Sequence, residues 1–363
     1  MRDVLDELTR LRAAGEPVAM ATVVATFASA PRPPGAAMLV TADGAVVGSV
    51  SGGCVEGDVH AVALDVLATG VPVLRRYGVS DDDALSVGLT CGGIIDVFVE
   101  RVDGDWAPVA GLVAAEEPVA AAVVVEHPTL LGERLVITPG GHTGGTGSAR
   151  VDAAVVDDAR GLLAAGRDAT LHYGPDGERR GEGLSVFVRS FEPPARMLVF
   201  GAIDFAAAMA RMGAYLGYRV TVCDARPVFA TTTRFPEAHE VVVDWPHRYL
   251  AAELAAGRVD GRTVVTVLTH DPKFDVPLLE VALRGGLGFV GAMGSRRTHD
   301  DRIARLRAAG LTDRELAGLS SPIGLDLGAR TPEETAVSIA AEVIARRWGR
   351  DGARLSDGAG RIH

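Results

Sequence analysis

Short apolar runs alternate regularly with helix-period stretches from Met197 onward, while strand-like runs crowd together before the boundary segment Phe191-Glu192-Pro193-Pro194-Ala195. These two observations predict an α/β protein with a C-terminal doubly wound parallel sheet and an N-terminal α+β domain. The two prolines interrupt the chain just before a new strand and set the division. The expected organisation is residues 1–192, a linker at 193–195, a second domain at 196–348 and a tail at 349–363.

In order along the chain, a helix is expected over 2–14, then strands at 18–27, 36–40 and 46–50. A second helix follows Cys54, where Val55, Val59, Val62, Ala63 and Val66 recur at helical spacing. Further strands are expected at 94–99, 120–125, 134–137 and 185–190. The glycine-rich stretch 139–147 reads as a loop. Beyond the prolines, strands are expected at 197–200, 219–223, 241–243, 263–268 and 288–290. The last helix is set by Thr331 as cap, Pro332 at its first position and Glu334 completing a capping box, and it runs to about Trp348. The tail is expected to be poorly ordered.

With 363 residues, 48% of them hydrophobic, each domain can bury a core. The excess of 47 acidic over 36 basic side chains, a net charge of -11, argues against general affinity for nucleic acid or an anionic membrane surface. The N-terminus lacks the apolar core of a signal peptide and no uncharged run has spanning length, so a cytoplasmic protein is expected. Three cysteines without a paired framework suit a reducing compartment.

Two of those cysteines sit in turn-forming contexts, Ser51-Gly52-Gly53-Cys54-Val55-Glu56 and Thr90-Cys91-Gly92-Gly93. Cys54 falls at or near a helix N-terminus, where N–H groups and the helix dipole favour an anion. Either thiol suits a nucleophile, a redox group or a ligand for a soft metal or its sulfur; the alternative is a small apolar filler beside a tight turn.

In the second domain, Leu198-Val199-Phe200-Gly201-Ala202-Ile203-Asp204 stands where a Rossmann-type dinucleotide fold carries its glycine fingerprint, and Asp224 ends the next strand at the place of a ribose-binding acid. Ile203 replaces the second glycine and Asp204 puts a carboxylate where a diphosphate would rest, so NAD(P) is disfavoured. Asp204 is expected instead to cap the helix. Arg296 and Arg297 follow a strand and can clamp an anion at the carboxyl edge of the sheet, or be solvated residues at a helix start. His270 and Asp271 can move protons or form a turn.

Together these pieces resemble the xanthine dehydrogenase accessory factor family, which includes the CoxI-type accessory proteins. The motifs are 30–38 (APRPPGAAM), 52–56 (GGCVE), 89–93 (LTCGG), 217–226 with Asp224-Ala225-Arg226, Leu268-Thr269-His270-Asp271, 290–297 (VGAMGSRR) and 322–326 (PIGLD). The likeness spans nearly the whole chain apart from about 104–194. It departs from the family pattern at Gly201-Ala202-Ile203, where members commonly carry Gly-Ala-Gly.

The resemblance implies a factor that binds the molybdenum cofactor (molybdopterin), protects it during sulfuration by a cysteine desulfurase, and supports its insertion into a molybdenum hydroxylase apo-enzyme. On that reading Cys54 or Cys91 contacts molybdenum or relays sulfur. The pterin phosphate meets free N–H groups at the glycine turns of Ser51, Gly52, Gly53, Gly92 and Gly93, beside Glu56, with an arginine such as Arg32 nearby. Gly201, Asp204, Asp224, Arg226, His270, Arg296 and Arg297 are the cofactor-binding candidates of the second domain. The competing functions are an NAD(P)-dependent oxidoreductase and a non-catalytic scaffold, and a turnover enzyme is less expected than a maturation factor. A homodimer is the default for such a fold, with no interface identified.

Overall fold

The computed structural model describes residues 2–27, 30, 32–78, 93–102 and 106–357. The chain divides between Pro193 and Pro194 into two compact units.

The first unit contains α1 (Arg2–Ala13), β1 (Val18–Phe27), β2 (Ala37–Thr41), β3 (Val46–Gly48), α2 (Glu56–Thr69), β4 (Val73–Tyr77) and β5 (Ile94–Val102). It continues with α3 (Ala107–Ala114), β6 (Val119–Glu126), β7 (Arg134–Thr138), β8 (Gly141–Gly144), α4 (Ala149–Ala165), β9 (Ala169–Tyr173) and β10 (Leu184–Phe191). Its strands make two antiparallel sheets, ordered β3-β2-β1-β5-β4 and β8-β7-β6-β10-β9. That is one topology used twice. A constant residue offset carries Glu56 to Asp152, the left-handed helix-ending Gly70 to Gly166, and Tyr77 at the end of β4 to Tyr173 at the end of β9.

The backbone repeats as well. Gly35 N–H donates to the Val23 carbonyl and Gly132 N–H to the Val124 carbonyl, each glycine having a positive φ. Inward-facing residues alternate along the strands, so each sheet has two apolar faces. One face lies under its helix: Ala19, Ala21, Val23, Met38 and Val40 with Val59, Ala63 and Val66 of α2, and Ala120, Ala122, Val124, Leu135 and Ile137 with Val155 and Ala159 of α4. The other faces meet through Val24, Phe98, Val123, Val125 and Phe187. The layers are therefore helix, sheet, sheet, helix.

The expected strands of this unit are present within a residue or so at most ends, with β5 extended to Val102. Four elements have no counterpart in the sequence expectations, β4, α3, α4 and β9, and the loop expected over 139–147 carries a strand, β8, which makes it the tip and return of a hairpin. There β8 pairs with β7 from Leu135↔Gly144 to Thr138↔Gly141. The pairing is made by main-chain groups, and Gly144 must be glycine because a Cβ there would run into the Arg134 carbonyl.

The second unit contains β11 (Arg196–Phe200), α5 (Asp204–Tyr215), β12 (Arg219–Asp224), β13 (Glu240–Val243), α6 (Pro246–Ala255), β14 (Val264–Val267), α7 (Pro272–Arg284) and β15 (Phe289–Ala292). It ends with α8 (Arg296–Ala308), α9 (Asp313–Leu316), β16 (Leu319–Ser320) and α10 (Pro332–Arg347). All six strands are parallel, in the order β13-β12-β11-β14-β15-β16. Their near-continuous apolar runs are buried on both faces. The order reverses between β11 and β14, so the crevice at their carboxyl ends is where this architecture places ligands. The predicted capping box at Thr331 and Glu334 forms.

Candidate functional site

In the first unit the site is built by the turn from β3 into α2. Gly52 and Gly53 take φ of 78° and 115°, which side chains rarely adopt, and a Cβ at either would meet nothing within 4 Å. The turn is thus open on its glycine side. Val55, and not Cys54, is the N-cap; Cys54 precedes it, half-buried against the core beneath α2.

Glu56 holds this turn together. Its carboxylate accepts from Ser49 Oγ at 2.6 Å, Ser51 N at 2.9 Å, Gly53 N at 2.9 Å and Val55 N at 3.2 Å, and also from the Ser51 hydroxyl. Ser51 Oγ in turn accepts from Cys54 N at 2.9 Å and Val55 N at 3.0 Å, while Ser49 Oγ accepts from Gly52 N at 2.9 Å. Burial works against the charge of Glu56, but the hydrogen bonds from Ser49 and Ser51 outweigh it and bring the carboxyl to about 2.

This corrects the expectation of free N–H groups for a phosphate. The amides of Ser51, Gly52, Gly53, Cys54 and Val55 are all bonded internally, because the loop carries its own anion in Glu56. Cys54 stands beside this open glycine surface, half-buried with its side chain against the core beneath α2.

Neighbouring candidates gather at the same end of the first sheet. Phe27, the last residue of β1, pairs with Ile94, the first of β5, directly after Gly93. Tyr77, ending β4, donates to Asp58 in the first turn of α2 at 2.7 Å. The start of β5 and the Cys54 turn are thereby tied to one edge. Arg32 is exposed in the β1–β2 connection, and Ala30 of that connection packs on the same core as Cys54. Cys91 and Gly92 lie outside the described residues. Among the described residues no group of three or more His, Cys, Asp or Glu side chains is placed to hold a metal ion. The third cysteine, Cys223, lies inside β12, where burial pushes its thiol up to about 12.

In the second unit, Gly201 directly follows β11 with φ of 109°, and a Cβ there would stand 2.8 Å from Thr269 Cγ2 across the switch point. Asp224 is buried. Its Oδ2 accepts from Ala202 N at 2.7 Å, and Arg226 closes on it with its own amide at 2.9 Å and its guanidinium at 2.9 and 2.8 Å. Burial opposes ionisation, yet the bonds from Arg226 and Ala202 hold the carboxyl below its usual value. Asp224 therefore offers a ribose no unoccupied carboxylate: Arg226, stacked on Phe229 at 4.6 Å, takes that place.

Asp204 does not cap its helix. The N-cap is the extended Ile203, without a side-chain hydrogen bond, and Asp204 is the first helical residue, exposed and 3.4 Å from Arg234. His270 is exposed after β14, while Asp271 caps α7 through Lys273 N at 3.1 Å, the turn reading of this pair. Arg296 and Arg297 are exposed in the first turn of α8, at the carboxyl edge of the sheet, with Ser295 as the cap. Sequence reasoning missed the buried Asp275–Arg302 pair at 3.2 Å, which joins Thr269 to Ser321 and the Met293 carbonyl. Its partners are far apart in sequence, and no local motif marks them.

Comparison with known proteins places both units. Residues 197–343 match the family model described as the XdhC Rossmann domain, and residues 11–78 and 112–174 match that of the XdhC and CoxI family. The chain is 29% identical to a Bacillus subtilis protein named as a probable xanthine dehydrogenase subunit, over 92% of this chain and 94% of that protein. It is 26% identical to the molybdenum cofactor insertion chaperone PaoD of Escherichia coli, over 92% of this chain and 84% of that one. A crystal structure described as a xanthine dehydrogenase from Bacillus halodurans superposes with a TM-score of 0.71 at 26% identity, covering 98% of each chain. With matched segments running through both units in order, the chain belongs to the XdhC family.

Proposed function

We propose that this protein is a maturation factor that takes the molybdenum cofactor as cargo, holds it for sulfuration by a cysteine desulfurase, and passes it to the apo-enzyme of a xanthine dehydrogenase or carbon monoxide dehydrogenase type hydroxylase in the cytoplasm. The observation that carries this reading is the Cys54 turn. A thiol stands on a rigidly clasped loop whose glycine side is open, so a flat ligand can approach the backbone while a soft sulfur donor faces its metal. The relative named as a molybdenum cofactor insertion chaperone, aligned over most of both chains, supports the choice of cargo.

The role of each residue follows from its place. Cys54 contacts the metal or relays sulfur, Glu56 and Ser51 fix the loop that presents it, and Arg32 meets the cargo's anionic end. The second unit is assigned no dinucleotide, because Asp224 is already engaged by Arg226 and Ala202.

The test is molybdenum by elemental analysis and oxidised pterin fluorescence on protein purified from cells with the cofactor pathway intact. Wild type should carry near-stoichiometric cofactor and Cys54→Ala should lose it, with Cys91→Ala run beside it. Cofactor-free wild type, or full loading of both cysteine variants, would end the thiol reading.

A further inference from the structure

The last helix has a solvent face of the wrong polarity for a free surface. α10 buries Ala336, Ile339, Ala340 and Val343 in the core shared with α5 and the sheet. Glu342 turns inward and accepts from Gly324 N at 2.6 Å, while the Thr335 hydroxyl donates back along the helix to the Thr331 carbonyl at 2.9 Å. Between the glutamates of the first turn and the arginines of the last, Val337 and Ile344 face outward with the half-buried Ala341 between them, continued by Trp348. Val337 is 46%, Ile344 44% and Trp348 69% exposed. These positions recur at helical spacing in one stripe, whereas an outer helix face ordinarily carries polar residues.

The charges flanking the stripe say what covers it. The acidic side chains Glu333 and Glu334 stand in the first turn and the basic Arg346 and Arg347 in the last. A helix with acid at one end, base at the other and a small residue between them complements itself when a second copy lies antiparallel across it. With Ala341 at the crossing, Val337 of one copy meets Ile344 of the other, and Glu333 of each lies beside Arg347 and Trp348 of its mate. The pairing is isologous: one patch serves both copies and the dyad closes the assembly.

We infer that the outer face of α10 is a self-complementary interface through which two copies of this chain form an antiparallel two-helix dimer. The inference is independent of the cargo proposed above.

The test is sedimentation of the full chain, wild type and variants. Wild type should be a dimer. Ile344→Arg and, separately, Val337→Lys should be monomers with unchanged thermal unfolding, since both side chains are exposed. Glu333→Arg and Arg347→Glu each set like charges against one another twice across the dyad and should weaken the dimer by about tenfold. Mixed together they should form a heterodimer, because each reversed charge then meets its opposite. A monomeric wild type, including one that uses this face only to hold an apo-hydroxylase, would overturn the inference. So would a dimer indifferent to Ile344→Arg, or charge variants that do not pair on mixing.

Discussion

Replacing Glu56 by Gln tests whether the Cys54 turn is held by one ionised carboxylate. The side chain keeps its length, but one oxygen becomes an amide group that donates where Ser51, Gly53 and Val55 also donate. The fall of the Glu56 carboxyl from 4.5 to about 2 corresponds to about 3 kcal/mol if taken at face value. Solvent screening of this half-buried group reduces it to about 1–2 kcal/mol. Because the folded value is depressed, the stabilisation is fully present above the unfolded value of 4.5, falls to about half near pH 3 and is gone by about pH 2. Hydrogen exchange of the segment 49–59, measured by mass spectrometry, reads this locally. At pH 7 the variant's amides should exchange about 5 to 30 times faster than wild type. The ratio should shrink toward one as both proteins are taken to pH 2.5. Equal exchange at pH 7, or a ratio that does not change with pH, would refute the clasp.

Three further outcomes follow from the geometry. Gly35→Ala should cost about 1–3 kcal/mol in urea unfolding, because its φ of 86° disfavours a side chain and the new Cβ would overlap the Asp168 carboxylate beside Arg189; unchanged stability would mean that the turn relaxes freely. Asp224→Asn should destabilise the second unit by about 2 kcal/mol, since it leaves the Ala202 amide and the Arg226 guanidinium poorly matched, and calorimetry of the full chain would show whether it does. Ile203→Gly should produce no NADH fluorescence quenching on titration, because the ribose acid stays engaged by Arg226; clear quenching would mean that Ile203 alone excludes the dinucleotide.

The second unit was the more legible because its signals are local. An apolar run followed by a glycine and a helical period specifies strand, turn and helix within one window, and the Thr331 capping box fixes its helix from residues three apart. The first unit was harder to read. β4 carries Arg75 and Arg76 in its middle and β9 carries Thr170 and His172, since both are partly exposed, so neither shows the apolar run that marks a buried strand. In α4, acids at Asp152, Asp157 and Asp158 interrupt an apolar stripe that becomes plain only once Val151, Val155, Ala159 and Leu163 are seen buried together. At the site, the Cys54 turn and its glycines could be read from sequence, but the direction of its hydrogen bonds could not. Glu56 follows the glycines as a ligand-binding acid would, and only the placement of Ser49 and Ser51 reveals it as the loop's own anion.

The duplication in the first unit separates what the fold needs from what the site adds. At the position of Glu56 the second sheet has Asp152, which does the same work, accepting from Thr146 N and Thr146 Oγ1 at 2.8 Å each to fasten its own strand-to-helix turn. Tyr77 and Tyr173 likewise both reach an aspartate of the covering helix, Asp58 at 2.7 Å and Asp158 at 2.9 Å. A carboxylate clasp present in both copies is a requirement of the strand-to-helix turn. The thiol differs, for the same offset that carries Glu56 to Asp152 carries Cys54 to Arg150, an exposed side chain. Two copies of one topology thus share the clasp and do not share the cysteine, so the thiol can be removed without disturbing the fold. Cys54→Ala should therefore leave exchange in segment 49–59 within about twofold of wild type while abolishing cargo binding, and Glu56→Gln should loosen that segment with the thiol still in place. If Cys54→Ala opened the turn as far as Glu56→Gln does, the cysteine would be part of the scaffold, and its loss of cargo would say nothing about contact with the metal.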